Sequence, residues 1–322
     1  MLVKIEVKKG NEINLEEILE MTYRIKNIEF KKKQVSYDKL LTIFQENFFI
    51  SSIFYALARA NGKIIGWLLL YPTSPTNLAL NIGDTLGGHP VIDKGFNADE
   101  ILSRLLEAAK DTAIKHNFSS IEIMVPWGLS APKEIYAEYI AKYSSNKFEF
   151  KLKYVEMICN IESNNNLYED LKDGYTVKKV SELDAEEIYR CYLNAFSEGD
   201  ARFFRYQGEQ EKREYFNSLS ELDVLYEDSS IALMLKNQII GFSYALKFEE
   251  ENHHISCMCV LPKFQGMGLG RYLLFYIKNK ASDDNAKTIT LGTETDMKAY
   301  YLYEKHGFEI IKGYMVFNWS RN

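Results

Sequence analysis

The chain has no apolar run close to the roughly 20 residues that a membrane-spanning helix needs. Gly66-Trp67-Leu68-Leu69-Leu70-Tyr71 is its longest obvious apolar cluster, so no membrane partner is expected. The first residues include Lys4, Glu6, Lys8 and Lys9, a start that reads as neither signal peptide nor anchor. Cysteine is scarce. The four residues Cys159, Cys191, Cys257 and Cys259 follow no framework spacing, which argues against a disulfide scaffold and points to a reducing, cytoplasmic setting. Cys257 and Cys259 share a strand face and His253 and His254 lie near, but the second half of a ligand set is missing, so no metal is expected. Positive charge is not in surplus either. With 39 Lys and Arg against 45 Asp and Glu, the net charge is −6, which argues against nucleic acid as a partner and suits a cationic acceptor.

What is present is ordinary soluble composition, 46% hydrophobic and 26% charged, over 322 residues. That length exceeds one domain of about 150 residues and suggests two. The order of local signals repeats. Strand Tyr55 to Arg59, turn Asn61-Gly62 and strand Lys63 to Trp67 form a hairpin that Ser230 to Leu235, Asn237-Gln238 and Ile239 to Phe242 answer. Downstream, His89-Pro90 matches Leu261-Pro262, Ile101, Leu105 and Ala109 match Leu269, Leu273 and Ile277, and Ile121 to Val125 matches Lys287 to Leu291. Phe148-Glu149-Phe150 likewise matches Phe308-Glu309-Ile310, so an internally duplicated α/β unit is expected. Its first copy opens with a strand over Met1 to Val7 and a helix over Leu15 to Ile28, and the aromatic stretch Phe44 to Ile53 reads as core. The polar segment Glu162 to Asp170 reads as the linker, which gives domains over 1–162 and 172–322. The second copy then carries strand Tyr175 to Val180 and a helix from Asp184 to Phe196, with a capping signal in Ser181-x-x-Asp184.

The two copies differ after the proline. The second runs Pro262-Lys263-Phe264-Gln265-Gly266-Met267-Gly268-Leu269-Gly270-Arg271, between the apolar strand Ile255 to Val260 and a helix marked by Leu269, Leu273 and Ile277. A glycine-rich loop opening a helix leaves unpaired N–H groups and the positive end of the helix dipole facing a space with no side-chain bulk, which suits a diphosphate. A Walker A loop is excluded because Gly270 is followed by Arg271 and Tyr272 rather than Lys and Ser or Thr. A dinucleotide fingerprint fits poorly, since the spacing is G-x-G-x-G and Pro262 to Gln265 intervene after the strand. In the first copy, Val91 to Glu100 carries one glycine and two acidic residues at the helix start, which would repel a diphosphate.

The pattern Q-x-x-G-x-G behind V-x-P, made by Gln265, Gly268 and Gly270 with Val260 and Pro262, resembles the pyrophosphate loop of the GNAT superfamily of acyl-CoA-dependent N-acetyltransferases. The resemblance continues for some fifty residues into Asp296-Met297-Lys298-Ala299-Tyr300-Tyr301-Leu302-Tyr303-Glu304-Lys305-His306-Gly307-Phe308, similar to that family's N-x-x-A-x-x-L-Y-x-x-x-G-F helix, with Asp296 in place of the usual Asn. It implies an α/β fold of two tandem domains, each a twisted, mostly antiparallel mixed sheet flanked by helices. The first would be degenerate and without a pyrophosphate loop, the second catalytic.

The same resemblance implies acetyl-CoA as co-substrate, held by Met258, Cys259, Val260, Gln265, Gly266, Met267, Gly268, Leu269, Gly270, Arg271 and Asp296. Its acceptor would be a small-molecule amine, with a protein or peptide amine as the alternative and a non-catalytic acyl-CoA-binding module as a further one. Tyr303 matches the family's tyrosine that protonates the departing thiolate, a task that suits a phenol; the plain reading is a packed aromatic in a chain with 22 tyrosines. Asp296, seven residues earlier, either contacts the cofactor or caps the helix. The family's strand glutamate falls on Leu291 here, so the base is open between Glu294, His254 and a water chain. Glu198, Asp200, Arg202, Arg205 and Tyr206 stand as acceptor-side candidates against a solvated helical surface. The oligomeric state is not readable from the sequence.

Overall fold

The computed structural model describes the chain except for residues 1, 33–34, 81–89, 128–132, 162–170, 172–173, 198–200, 202–203, 206, 221–224, 250 and 322. It divides into two compact units, Met1–Lys151 with Tyr314–Asn322, and Leu152–Gly313. These differ from the division expected at 162 and 172, because strand pairing rather than chain order decides membership. The linker expected at 162–170 lies outside the described residues.

The first unit contains β1 (Lys4–Lys9), α1 (Leu15–Lys32), α2 (Tyr37–Asn47), β2 (Phe54–Ala60), β3 (Lys63–Pro72), β4 (Asn77–Ala79), β5 (Val91–Ile92), α3 (Ala98–Lys115), β6 (Ser120–Trp127), α4 (Lys133–Ser145) and the start of β7 (Glu149–Asn160). Strands β1, β2, β3 and β4 pair antiparallel in sequence, and β4 pairs parallel with β6. The β2–β3 hairpin turns on Asn61 and Gly62, both at positive φ (48° and 80°), as a primed turn requires. Every residue of β2 but Arg59 is buried, so the strand packs on both faces and reads as continuous apolar sequence. The expected aromatic core is only part of Phe44 to Ile53: Phe44 and Ile53 are buried, whereas Phe49 and Ile50 are 40% and 45% exposed. Helix α2 ends at Asn47, so the residues after it leave the helical face that buries Phe44.

The second unit takes β7 from Leu152 onward, then β8 (Tyr175–Lys179), α5 (Ala185–Ser197), α6 (Glu209–Ser220), β9 (Ile231–Leu235), β10 (Gln238–Glu249), β11 (Asn252–Val260), α7 (Leu269–Asp283), β12 (Thr288–Glu294), α8 (Lys298–Lys305) and the start of β13 (Glu309–Ser320). Its strands run in the order β8, β9, β10, β11, β12, β7, antiparallel except for the parallel β11–β12 pair. Each unit is thus a mixed, mostly antiparallel sheet flanked by helices. The hairpin turn falls on Lys236 and Asn237, one residue before the expected pair, because Gln238 already pairs with Leu235 and Lys236 takes the positive φ (56°). Asp184 rather than Ser181 caps α5, its Oδ1 accepting from the Glu186 and Glu187 amides at 2.8 and 3.2 Å.

The repeated order of elements extends to their ends. The αL residue that closes α3 is Asn117, with the Phe118 amide reaching back to Ala113 at 2.9 Å; Asn285 closes α7, with Ala286 reaching Ala281 at 2.9 Å. After α4, Phe148 donates to the Tyr143 carbonyl, and after α8, Phe308 donates to the Tyr303 carbonyl, both at 3.1 Å. Tyr143 and Tyr303 are therefore counterparts. Among the described residues no helix is long and apolar enough to cross a membrane.

Candidate active site

Between β11 and α7 the chain makes a short 3-10 turn, Pro262–Phe264, and then the glycine stretch. Gly266 and Gly268 sit at φ 77° and 88°, a region closed to most side chains, and a Cβ on either would meet nothing within 4 Å. The space before them is open. Gly268 is the N-cap of α7 and offers no side chain to the helix end. Among the described residues, nothing accepts a hydrogen bond from the backbone N–H groups of Gly266, Met267, Gly268, Leu269 or Gly270. The Gln265 side chain instead donates to the Val260 carbonyl at 3.0 Å, bracing the loop against the strand end. Leu269 is buried beneath the turn with Leu273, Leu274 and Ile277, while Arg271 is exposed on the first turn and Met267 is 49% exposed. Such a helix start offers an anion about half a positive charge besides its N–H groups.

The strand leading into this loop is partly unzipped. Its pairing with β12 runs from Asn252↔Thr288 to Ile255↔Leu291 and stops there. On its other edge, Tyr244 pairs with Cys257 but Ala245 with Ile255, so Ser256 is the extra residue of a bulge. The Leu261 amide donates to Ile240 at 2.8 Å, and Cys259 is opposite Phe242. By antiparallel alternation the Cys259 main chain faces β10, whereas the N–H groups of Met258 and Val260 face the side where β12 has left. Only those two of the three expected strand residues turn their amides toward the opening.

The bulge also decides which side chains meet. Leu246 pairs with His254 and Tyr244 with Cys257, so Cys257 and Cys259 come onto the face that holds His254. Parallel pairing of His254 with Thr290 adds Thr290, Gly292 and Glu294 to that face, and Glu294↔Tyr154 adds Tyr154 from β7. Glu294 is 5% exposed at the end of β12. The Tyr154 ring lies over Gly292 so closely that a methyl group there would overlap its hydroxyl. Burial pushes the Tyr154 phenol up to about 12, with the Glu156 and Glu294 carboxylates adding to the rise.

His254 is half-buried, its Nδ1 3.0 Å from the Thr290 hydroxyl, which has the His253 carbonyl at 3.4 Å to donate to. With the Thr290 hydroxyl donating to the His253 carbonyl, His254 Nδ1 is the donor of the pair. Burial lowers the His254 pKa, so the ring is neutral at pH 7. Glu294 and His254, the two alternatives for a base, thus share one face of the sheet.

Tyr303 on α8 is 5% exposed, its ring 5.7 Å from that of Phe308, and among the described residues its hydroxyl has no hydrogen-bond partner. Burial, and then the neighbouring Cys257 and Cys259, raise its pKa well above that of a free phenol. It is a neutral donor at any ordinary pH. Asp296 does not join it: the residue is exposed, it precedes the N-cap Met297, and its Oδ1 accepts from the Thr295 hydroxyl at 3.3 Å. The helix begins at Lys298, which breaks the seven-residue spacing that would have aligned Asp296 with Tyr303.

Three further tyrosines border Cys257 and escaped the sequence reading. Tyr192 and Tyr215 come from α5 and α6 with ring centroids 6.5 Å apart, and Tyr244 is opposite Cys257 on β10. Burial raises the pKa of all three, and charge on Cys257 adds to each. Of the acceptor-side candidates, Arg205 is exposed, and Glu198, Asp200, Arg202 and Tyr206 lie outside the described residues. The cue for Tyr192 and Tyr215 was aromatic spacing on amphipathic helices, which core packing imitates. Among the described residues no group of three or more His, Cys, Asp or Glu could hold a metal ion.

Residues 224–310 match the family model described as an acetyltransferase (GNAT) domain. Over 79 residues the chain is 32% identical to the [ribosomal protein bS18]-alanine N-acetyltransferase of Haemophilus influenzae, a match covering 24% of this chain and 53% of that protein, about half its length. A GCN5-related N-acetyltransferase from Sphaerobacter thermophilus is similar in fold over 99% of this chain and 95% of its own, with a TM-score of 0.62 at 11% identity. A tandem GNAT protein from the clavulanic acid biosynthesis pathway is similar over 99% of this chain and 98% of its own, with a TM-score of 0.54 at 11% identity. The fold likeness therefore extends through both units.

Proposed function

We propose that the second unit binds acetyl-CoA and transfers its acetyl group directly to the primary amine of a small molecule, and that the first unit is a degenerate copy that binds no CoA. The observation that carries this is the row of uncommitted amides from Gly266 to Gly270, set beside a strand whose Met258 and Val260 amides are released by the splay. Acetyl-CoA supplies an activated acyl group as a thioester. The glycine-stretch amides fit its diphosphate, and a main-chain N–H of Met258 or Val260 is available to the thioester oxygen, where negative charge grows. An amine with a reference pKa near 10 is neutral in only about one molecule in a thousand at pH 7, so a proton must leave first. His254 Nε2 or the Glu294 carboxylate takes that proton. The amine nitrogen then attacks the acyl carbon, the C–S bond breaks, the Tyr303 hydroxyl gives its proton to the sulfur, and the proton that the acylated nitrogen must lose restores the phenol.

The test joins binding to turnover. CoA should raise the melting temperature of the protein and NAD should not. Free thiol should appear from acetyl-CoA only when an accepted amine is added from a panel of alkylamines, amino sugars, amino acids and peptides. Protection without thiol release from any amine would make the domain an acyl-CoA-binding module. A peptide amine is the second reading, favoured by the ribosomal-protein alanine N-acetyltransferase activity of the Haemophilus influenzae relative.

A further inference from the structure

If the second unit is an amine acetyltransferase as proposed, the residues on the Glu294 face describe its acceptor. We infer that Tyr154 sets acceptor specificity, and that the site takes an amine carried on an apolar or aromatic stem with no carboxylate beside the nitrogen. Tyr154 shares a face with Glu294, and its hydroxyl end lies over Gly292, where no side chain competes for the space. The same face carries Cys257 and Cys259, and the Tyr192–Tyr215 pair borders Cys257. Tyr215 is 40% exposed. Tyr154 is only half-buried. These are surfaces that a stem can slide along.

The chemistry follows from the groups present. Aromatic faces attract an ammonium and pack against an apolar stem, and the Glu294 carboxyl is nearly fully buried at the end of β12. A carboxylate adjacent to the amine would be stripped of water beside the buried Glu294 carboxyl, which is costly. An α-amino acid is therefore a poor acceptor, and the corresponding decarboxylated amine a good one. Gly292 is the device that holds the arrangement, since any larger residue would lift the Tyr154 ring from the sheet.

The experiment compares 2-phenylethylamine, phenylalanine, propylamine and a short peptide as acceptors. In the wild type, kcat/KM for 2-phenylethylamine should exceed that for phenylalanine by at least about 100-fold. Tyr154→Leu should cut the preference for 2-phenylethylamine over propylamine by about 10-fold, chiefly through KM, while CoA affinity stays within twofold. Tyr154→Phe, which keeps the wall, should retain most of that preference. Equal use of phenylalanine, better use of the peptide, or an unchanged ratio in a folded, CoA-binding Tyr154→Leu protein would overturn the inference and leave the acetyltransferase reading standing. No CoA protection and no thiol release with any amine would overturn both.

Discussion

Helices α3 and α7 hold the same place in the two units, each following a strand and a proline, yet their first turns are finished in opposite ways. At α3 the Asn97 side chain accepts from the Glu100 amide at 3.3 Å, Asp93 Oδ1 accepts from Gly95 at 2.9 Å, and Asp99 and Glu100 occupy the positive end of the helix. The protein satisfies that end itself. At α7 the cap is Gly268, the first turn has no acidic residue, and a Cβ on Gly266 or Gly268 would meet nothing within 4 Å. A helix start binds an anion only if its own sequence leaves the work undone, so one duplicated fold yields a closed end and an open one.

The tyrosine counterparts offer the sharpest test of that asymmetry. Tyr303→Phe should lower kcat by about 100- to 10,000-fold where chemistry is rate-limiting, with CoA affinity unchanged. Tyr143→Phe should leave kcat alone, because Tyr143 packs against Phe317 at 4.8 Å in the core of the first unit. Equal loss from both substitutions, measured by steady-state thiol release, would mean that the second tyrosine serves stability rather than proton transfer.

Next in size is the loop itself. Gly268→Val places a β-branched residue at φ 88° and turns its side chain toward the open space, so the dissociation constant for CoA should rise at least about 100-fold, or ~2.7 kcal/mol. Titration calorimetry of the wild type should find one CoA per chain. Two would show that the capped end of α3 is no barrier and would break the comparison.

The pH profile sharpens it further. Burial raises the Tyr303 pKa, so the donor stays protonated and no alkaline limb below about pH 10 should come from it. Burial lowers the His254 pKa, so the neutral ring persists to a pH below its usual 6.5, and any loss of kcat/KM through this residue lies on the acid side of that value. The stability sign agrees: a histidine that resists protonation in the fold contributes no penalty above its unfolded pKa and destabilises as pH falls below it. His254→Gln should abolish the acid limb if this ring is the base; a limb that survives there and vanishes in Glu294→Gln assigns the task to the carboxylate.

Much of this asymmetry was legible in the residues. Glycine at alternate positions, the acidic start of α3 and the four-residue recurrence of Leu269, Leu273 and Ile277 are local signals, and each landed where it was expected. The proposed acceptor face was not legible. Tyr154 stands in the half of the sequence assigned to the other domain and reaches the site only because β7 pairs with β12, a long-range register with no local mark. The bulge at Ser256, which turns Cys257 onto the face of His254, is likewise a product of pairing. Asp296 lies before α8 rather than in helical register with Tyr303, because helix start positions shift by a residue or two with little change in sequence pattern.

The smallest effect falls on the closed end. Asn97→Ala removes the cap of α3 and should cost about 1 kcal/mol, roughly 2–4 °C in the melting temperature of a unit this size, without changing CoA affinity. Asn97→Gly should cost only a few tenths of a kcal/mol, since glycine leaves the end open to water. It should still recruit no second CoA, because Asp99 and Glu100 keep their charge at the helix start. Adding Asp99→Asn and Glu100→Gln removes that repulsion but not the remaining difference, the absence of a glycine stretch at positive φ between Pro90 and α3. Calorimetry that found a second CoA in the triple variant would show that side-chain charge alone separates the two units; its continued absence would assign the separation to the backbone path of Gly266 and Gly268.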